Sequence, residues 1–370
     1  VLLKMAAPMI HHRTPQFSQI FAETREMLRQ VFQTEQDPIM LASSGTGAME
    51  AALVNLCSPG DTVIYVNGGK FGERWGKIAA KHGLRAAEIK VPWGEAVTPE
   101  AVAEALERHP EAKAVCVQAS ETSTTTEHPV REIAEIVRAR PNTALVVDAI
   151  TALGVVDLPM DEWGLDAVVS GSQKAFMLPP GLAMIACSEK YWRLAEGARC
   201  GRFYFDLAAE RKAQAQGSDT TAWTPAVSLI IGLHEVLTMM LNEGLANVFA
   251  RHALLAEAAR AGVEALGLRL ISKRPATSAT GAFIPEGIPG GAFVKYLRDQ
   301  MGVTFAGGQD QFKGKIVRIA HLGYYDAFDI VIAISALEMA LKRFGVEVPL
   351  GKGVAAAEAV LTERFPKPVA

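Results

Sequence analysis

Cysteine is scarce. Four residues in 370, Cys57, Cys116, Cys187 and Cys200, lie far apart, with no CxxC and no neighbouring His pair. That excludes a disulfide framework and a zinc site. Cys57, Cys116 and Cys187 stand in apolar stretches and read as buried thiols, which suits a reducing cytoplasm. No uninterrupted apolar run reaches the roughly 18 residues of a membrane span. The most apolar stretch, 227–241, carries His234 and Glu235 and reads as a buried helix. Residues 1–12 lack a basic segment followed by a long apolar run, so no secretory signal is expected. Neither sign of charge dominates: 37 Lys+Arg against 40 Asp+Glu leaves −3. That is no footprint for nucleic acid or an anionic membrane. The remainder, 49% hydrophobic and 21% charged, is the composition of an ordinary soluble enzyme. A chain of this length at roughly 150 residues per domain implies about two domains.

The first two thirds alternate short apolar runs with helical patterns. Strands are predicted over 38–41, 62–66, 85–91, 114–117, 144–148, 167–169 and 183–186. Helices are predicted over 48–56, 71–82, 130–140 and from Pro99. Apolar strands alternating with helices predict an α/β unit with a mostly parallel sheet covered on both faces. In such sheets a ligand lies beyond the carboxyl ends of the strands. Polar or glycine-rich turns follow four of these strands, at Ser44-Gly45-Thr46, Glu121-Thr122-Ser123, Asp148 and Ser172-Gln173-Lys174. After about residue 200 the pattern changes. Helices over 225–242 and 244–266 are followed by strands at 268–272 and 281–284, a helix at 290–301, a strand at 316–320 and a helix at 325–344. This order predicts a smaller C-terminal α+β domain. The expected division is an N-terminal arm over 1–16, a large domain over 17–245, a small domain over 246–350 and a loosely held tail over 351–370.

Three turns carry chemistry. Ser44-Gly45-Thr46-Gly47 at the mouth of a helix exposes backbone N–H groups where the helix dipole favours an anion. It is either a phosphate cup or a tight turn capped by Thr46. Asp148 closes an apolar strand, where burial of an acid without a cationic partner is costly. It could pair with a cofactor nitrogen, bind a metal, hydrogen-bond a ribose or cap a turn. Lys174, in Ser170-Gly171-Ser172-Gln173-Lys174-Ala175, follows a buried strand; alone it reads as an ordinary loop lysine, but partial burial would lower its pKa toward the free amine that Schiff-base chemistry uses. A phosphate cup, an acid and a lysine in successive turns are the three anchors that pyridoxal phosphate requires.

Four stretches extend that reading: Gly45-Thr46-Gly47-Ala48-Met49-Glu50, Asn67-Gly68-Gly69-Lys70-Phe71-Gly72-Glu73-Arg74-Trp75, Val91-Pro92-Trp93-Gly94 and Gly171-Ser172-Gln173-Lys174-Ala175. In this order, over about 9–345, they resemble the class V aminotransferases, in the branch of the alanine–glyoxylate and serine–glyoxylate (serine–pyruvate) enzymes. The resemblance implies the fold type I of the pyridoxal-phosphate-dependent transferases. It implies that Lys174 joins the cofactor aldehyde and that Asp148 pairs with the pyridine nitrogen. Phe71 and Ile150 would cover the two ring faces, and Thr122 would bond the ring hydroxyl. Ser44, Gly45, Thr46 and Gln173 would hold the phosphate. Thr221 and Thr224 would reach the phosphate of a neighbouring subunit, so a homodimer is implied. Arg318 would clamp the carboxylate of a small amino acid or 2-oxo acid.

Three departures stand out. The chain opens on Val1-Leu2-Leu3-Lys4-Met5-Ala6-Ala7-Pro8 instead of the family's Gly-Pro-rich segment, which implies a trimmed start or a different lid. Thr125 stands where a glycine is expected after Ser123-Thr124. Thr221 stands where an aromatic hydroxyl is found in relatives. The competing readings are a lyase or cysteine desulfurase of the same fold, with Cys200 as its only candidate nucleophile, and a non-catalytic accessory subunit of the kind described with hydrogenases. A nicotinamide dehydrogenase is disfavoured because GxGxxG is absent.

Overall fold

The computed structural model describes residues 1–215 and 219–364. Its centre is a seven-stranded sheet built from β1 (Ile39–Leu41), β2 (Thr62–Asn67), β3 (Arg85–Lys90), β4 (Ala114–Gln118), β5 (Ala144–Asp148), β6 (Ala167–Gly171) and β7 (Ala183–Cys187). The strand order is β1-β7-β6-β5-β4-β2-β3. Neighbours from β6 through β3 pair in parallel, while β7 runs antiparallel to both β6 and β1. Every strand except β7 therefore points the same way, and the turns that leave β1, β2, β4, β5 and β6 open on one edge. This is the mostly parallel α/β architecture expected from the sequence.

Successive side chains of a strand point to opposite faces. Val115, Val117, Leu145, Val147 and Val168 join one apolar core, against helices that include Pro15–Phe32 and Val227–Glu243. Ala114, Cys116, Ala144, Val146 and Val169 join a second core, against helix Gly45–Leu56 and helix Gly72–Lys81. Burial on both faces explains why these strands read as unbroken apolar runs. The Val227–Glu243 helix and the Leu245–Ala265 helix meet at Gly244, with φ +84°, and bend by 87°. No single described helix is long and apolar enough to cross a membrane.

A third core gathers Leu255, Phe293, Leu297, Ile319, Ile334, Leu337 and Leu341. Its sheet holds β8 (Ala279–Phe283), β9 (Ala306–Gly307) and β10 (Ile316–Ala320), in the order β8-β10-β9, all antiparallel. Two expectations fail here. The strand at 268–272 is not formed; a single bridge joins Leu270 to Ala282, because the segment pairs with β8 only locally. The expected loose tail is instead the helix Lys352–Arg364, whose Ala357 and Leu361 are buried in the third core. Alanine, abundant there, is the strongest helix former. Residues 365–370 lie outside the described ones.

That helix is held by one carboxylate. Glu338, 2% exposed, accepts bonds from the amides of Gly351 (2.8 Å), Gly353 (2.6 Å) and Val354 (3.0 Å). Replacement E338A leaves these donors unpaired. It is expected to cost about 2 kcal/mol and to accelerate amide hydrogen exchange at Gly353 and Val354 by about tenfold or more. Unchanged exchange at those two amides would refute the capping role.

Candidate active site

The common edge of the parallel strands brings most of the anticipated residues together. β1 leads to Ser44, the N-cap of helix Gly45–Leu56, so the helix opens at Gly45 and not, as expected, near Ala48. Ser44 makes no side-chain capping bond, which leaves the first amides of the helix available to an anion. Thr46 lies inside the first turn and is not the cap. A Cβ on Gly45 would collide with Ile150 Cδ1 and lie 2.7 Å from Ile150 Cγ1, so with Ile150 in this position glycine lets the helix start approach the β5 turn. A Cβ on Gly171 would lie 3.3 Å from Gln173 Oε1 and 3.4 Å from Gly45 N, which places the Gln173 amide and the helix start around one point. Gln173 Oε1 is buried with no hydrogen-bond partner among the described residues. Open helix amides in a cradle that excludes a Cβ suit a bound phosphate group, which Gln173 would join through Nε2 and not through this oxygen.

Asp148 ends β5. Its Oδ1 accepts from Ile150 N at 3.0 Å. Burial pushes its carboxyl up to about 7, against the Ile150 bond; Glu121 pushes it the same way, while Arg74 and Lys174 pull it down. Lys174 follows β6. Its ammonium is lowered first by burial and then by the Arg318 charge, with Asp148 opposing. The two groups thus share one electrostatic neighbourhood, a buried acid beside an amine biased toward its neutral form. Thr122 Oγ1 stands 2.9 Å from Thr151 Oγ1, next to Ile150. Arg318, on β10, reaches in from the other core. It donates from Nη1 to Thr122 O (2.6 Å) and from Nη2 and Nε to Gly307 O (2.8 and 3.2 Å).

Phe71 precedes helix Gly72–Lys81 and is half-buried. Its placement depends on Glu121, which the sequence offered only as part of a motif. Glu121 is fully buried. Its Oε2 accepts from the amides of Phe71 (3.0 Å) and Gly72 (2.8 Å), and its Oε1 from Ser123 Oγ (2.6 Å) and Ser123 N (3.1 Å). A Cβ on Gly69 would meet Glu121 Cδ at 2.5 Å, so the Gly68-Gly69 turn is moulded around this carboxylate. Gln118, paired with Asp148 in the β4–β5 register, is likewise buried, and both of its amide atoms lack a partner among the described residues. Thr125, in the glycine position, has φ +52°, a strained value for a β-branched residue. Its carbonyl is held by Ala276 N at 2.9 Å.

Three anticipated residues stand apart. Thr221 bonds the Trp223 carbonyl, and Thr221 and Thr224 line a crevice with Met40, Tyr204 and Pro225, beside β1. Cys200 is buried, with its thiol 3.9 Å from the His82 carbonyl and its amide bonded to Cys57 at the far end of helix Gly45–Leu56. Burial raises its thiol pKa. A desulfurase nucleophile needs an accessible thiolate, and Cys200 does not supply one. Among the described residues no cluster of His, Cys, Asp and Glu could hold a metal ion.

A lysine, an acid and an anion cup at the carboxyl edge of a mostly parallel sheet define a cofactor-dependent group-transfer enzyme. The family model for class V aminotransferases matches residues 4–321, and the chain belongs to that family. The "Soluble hydrogenase, small subunit" of Synechococcus sp. (strain PCC 6716) is 42% identical over 366 residues, spanning 98% of this chain and 95% of that one. The serine–glyoxylate aminotransferase of Hyphomicrobium methylovorum is 36% identical over 366 residues, spanning 96% of this chain and 90% of that one. Among solved structures, the ureidoglycine–glyoxylate aminotransferase of Bacillus subtilis matches with a TM-score of 0.93 at 29% identity, covering 98% of this chain and 94% of that one. The fold is thus that of the pyridoxal-phosphate-dependent aminotransferases.

The Asp148 environment has a measurable consequence in the cofactor-free protein. An unfolded aspartate titrates near 3.9, and the folded one near 7. Between those values the folded chain retains a proton that the unfolded chain releases, so stability falls as pH rises from about 4 to about 7 and levels off above. D148N removes this proton. Relative to wild type, the cofactor-free variant is expected to gain in melting temperature as pH rises through that window. A pH-independent difference would contradict the buried, protonated acid.

Proposed function

We propose that this chain is a pyridoxal-phosphate-dependent aminotransferase that moves an amino group from a small amino acid, alanine or serine, to glyoxylate or pyruvate. The observation that carries the reading is the convergence of Lys174, Asp148 and the Gly45 cup on one edge of the sheet. The glyoxylate aminotransferases among its relatives support the choice of substrates. Pyridoxal phosphate, when bound, supplies an aldehyde that accepts an amino group and a ring that withdraws electrons from the substrate Cα.

The residues would act as follows. Ser44, Gly45, Thr46 and Gln173 hold the phosphate. Phe71 and Ile150 cover the ring faces, and Thr122 bonds the ring hydroxyl. Asp148 faces the ring nitrogen, where a cationic partner keeps the carboxylate ionised and the carboxylate keeps the nitrogen protonated. Lys174 Nζ is the amine that anchors the aldehyde. Burial and Arg318 favour its neutral form, so once released it takes the Cα proton as general base and returns it as general acid. Arg318 offers its planar fork to the substrate carboxylate, held in place by the Thr122 and Gly307 carbonyls. A single substrate-facing arginine suits small substrates, and two half-reactions through one site imply ping-pong kinetics.

Thr221 and Thr224, on the outer crevice beside β1, would serve the phosphate site of a second copy, so the working unit is a cytoplasmic homodimer. The large cofactor-binding unit would span 17–245, with an arm over 1–16. The small unit would begin at 246 and be completed by helix Lys352–Arg364. The hydrogenase-subunit name of one relative raises an accessory role, and amino transfer by the isolated protein decides between the two.

Wild-type protein mixed with pyridoxal phosphate is expected to show visible absorbance that borohydride fixes covalently to Lys174, located by peptide mass. K174A is expected to lose both the fixed label and all transfer of amino groups from alanine or serine to glyoxylate. A label elsewhere, or turnover without Lys174, overturns the assignment. R318K keeps the charge but not the planar fork. It is expected to raise the KM for the amino acid by about tenfold or more while the cofactor absorbance stays in place. An unchanged KM would remove Arg318 from substrate binding.

A further inference from the structure

Arg74 has no part in the roles above, yet it touches two walls of the site. It stands in the first turn of helix Gly72–Lys81. Its Nη1 donates to Thr46 Oγ1 at 2.7 Å, and its guanidinium lies 4.9 Å from the centre of the Phe71 ring. The neighbouring Glu73 is engaged by Lys70 (3.1 Å) and Lys77 (2.6 Å) and not by Arg74. Among the described residues Arg74 forms no ion pair, so a half-buried cation is committed to a hydroxyl and an aromatic face.

The direction of that hydrogen bond matters. A threonine hydroxyl has one proton and two lone pairs. An arginine can only donate, so Thr46 must accept from Arg74 and keeps its proton for another partner. The same bond polarises the hydroxyl and makes it a better donor. Thr46 is the second residue of the helix whose N-cap makes no side-chain bond, so that the first helix amides are open beside it. A hydroxyl fixed as donor and the open helix amides then form one set of donors aimed at an anion.

We propose that Arg74 is a positioning residue for the cofactor phosphate: it locks Thr46 as a hydrogen-bond donor toward that anion and is itself held in place by the Phe71 ring. This rests on the pyridoxal phosphate reading given above. Arg74 acts through Thr46, so its effect must require both the hydroxyl and a phosphate on the ligand. A residue that merely supports the fold would weaken every ligand alike.

The experiment titrates cofactor-free wild type, R74M, T46V and R74M/T46V with pyridoxal phosphate and, separately, with pyridoxal, which lacks the phosphate, reading Kd by equilibrium dialysis. R74M is expected to raise the Kd for pyridoxal phosphate by about tenfold, and the Kd for pyridoxal by less than about twofold. T46V is expected to behave in the same way, and the double variant to be no worse than either single one, as for two members of one interaction. Equal losses for both ligands, or additive losses in the double variant, overturn the proposal while leaving the aminotransferase reading intact. A wild type that binds neither ligand overturns both. R74Q, whose shorter side chain falls short of Thr46, carries the same prediction in the place of R74M if the methionine variant does not fold.

Discussion

A carboxylate buried at the end of a parallel strand is the constraint around which this site is arranged. Burial pushes the Asp148 carboxyl up to about 7, and among the described residues the only hydrogen bond its side chain makes is from the Ile150 amide. Arg74 and Lys174 lower its proton affinity, but burial and Glu121 outweigh them in the cofactor-free protein. The pocket is therefore electrostatically incomplete by itself. A ligand that brings a cationic nitrogen to Asp148 and a dianion to the Gly45 helix start supplies both missing charges. Neither charge could be exchanged for the other, because the acid and the open helix amides stand on different turns.

Glu121 solves a separate problem, that of holding two loops still. Four donors from the Phe71 turn and the Thr122–Ser123 turn converge on its two oxygens. Ser123 Oγ in turn accepts from Lys70 N at 2.9 Å. The Phe71 turn and the Thr122–Ser123 turn are thus fastened to one carboxylate and, through Lys70 N and Ser123 Oγ, directly to each other. Such a network is rigid only while fully satisfied, which explains why Gly69 has no room for a side chain. Thr125 tolerates its strained backbone a few residues on for the same reason: the Ala276 amide and the surrounding buried hydroxyls leave it no alternative.

The sheet and its functional edge were legible in the sequence because they depend on local pattern. Apolar runs of four to six residues give strands wherever both faces are covered, and Asp148 and Lys174 stand out because charge is improbable at such strand ends. Arg74 and Glu121 were not legible as site residues. Their meaning lies in contacts with Thr46 and with the Phe71 amide, 28 and 50 residues away along the chain, and nothing in local spacing announces those. The one available signal was that Arg74 falls three residues after Phe71, a spacing that puts two side chains on one face of a helix. The segment 268–272 misled because apolar alternation does not say whether a partner strand is long enough to pair with. The 352–364 helix was missed because its stability comes from Glu338 and from burial of Ala357 and Leu361, all long-range.

Arg318 links the two halves of this argument. It is carried by β10 of the smaller sheet, yet one of its nitrogens is fixed by the Thr122 carbonyl of the larger core and the others by Gly307, its own neighbour in β9. The guanidinium thereby bridges the two cores, and its orientation depends on both. The loop after β9 is itself tied across, through Asp310 to Lys70 at 2.7 Å and through Phe312 to the Trp93 ring at 5.2 Å. Lys70 adjoins Phe71, so the Glu121 contact that places Phe71 and the ion pair that ties down the loop after β9 share one short stretch of chain. Isolated exposed ion pairs contribute little, and the Lys70–Asp310 bond alone would not hold the lobes. The Arg318 bond to the Thr122 carbonyl shares that load with buried bonds such as Ser120 Oγ to Ser278 Oγ (2.9 Å) and Thr126 Oγ1 to Ser272 Oγ (2.8 Å), while its bonds to Gly307 hold the guanidinium against its own sheet.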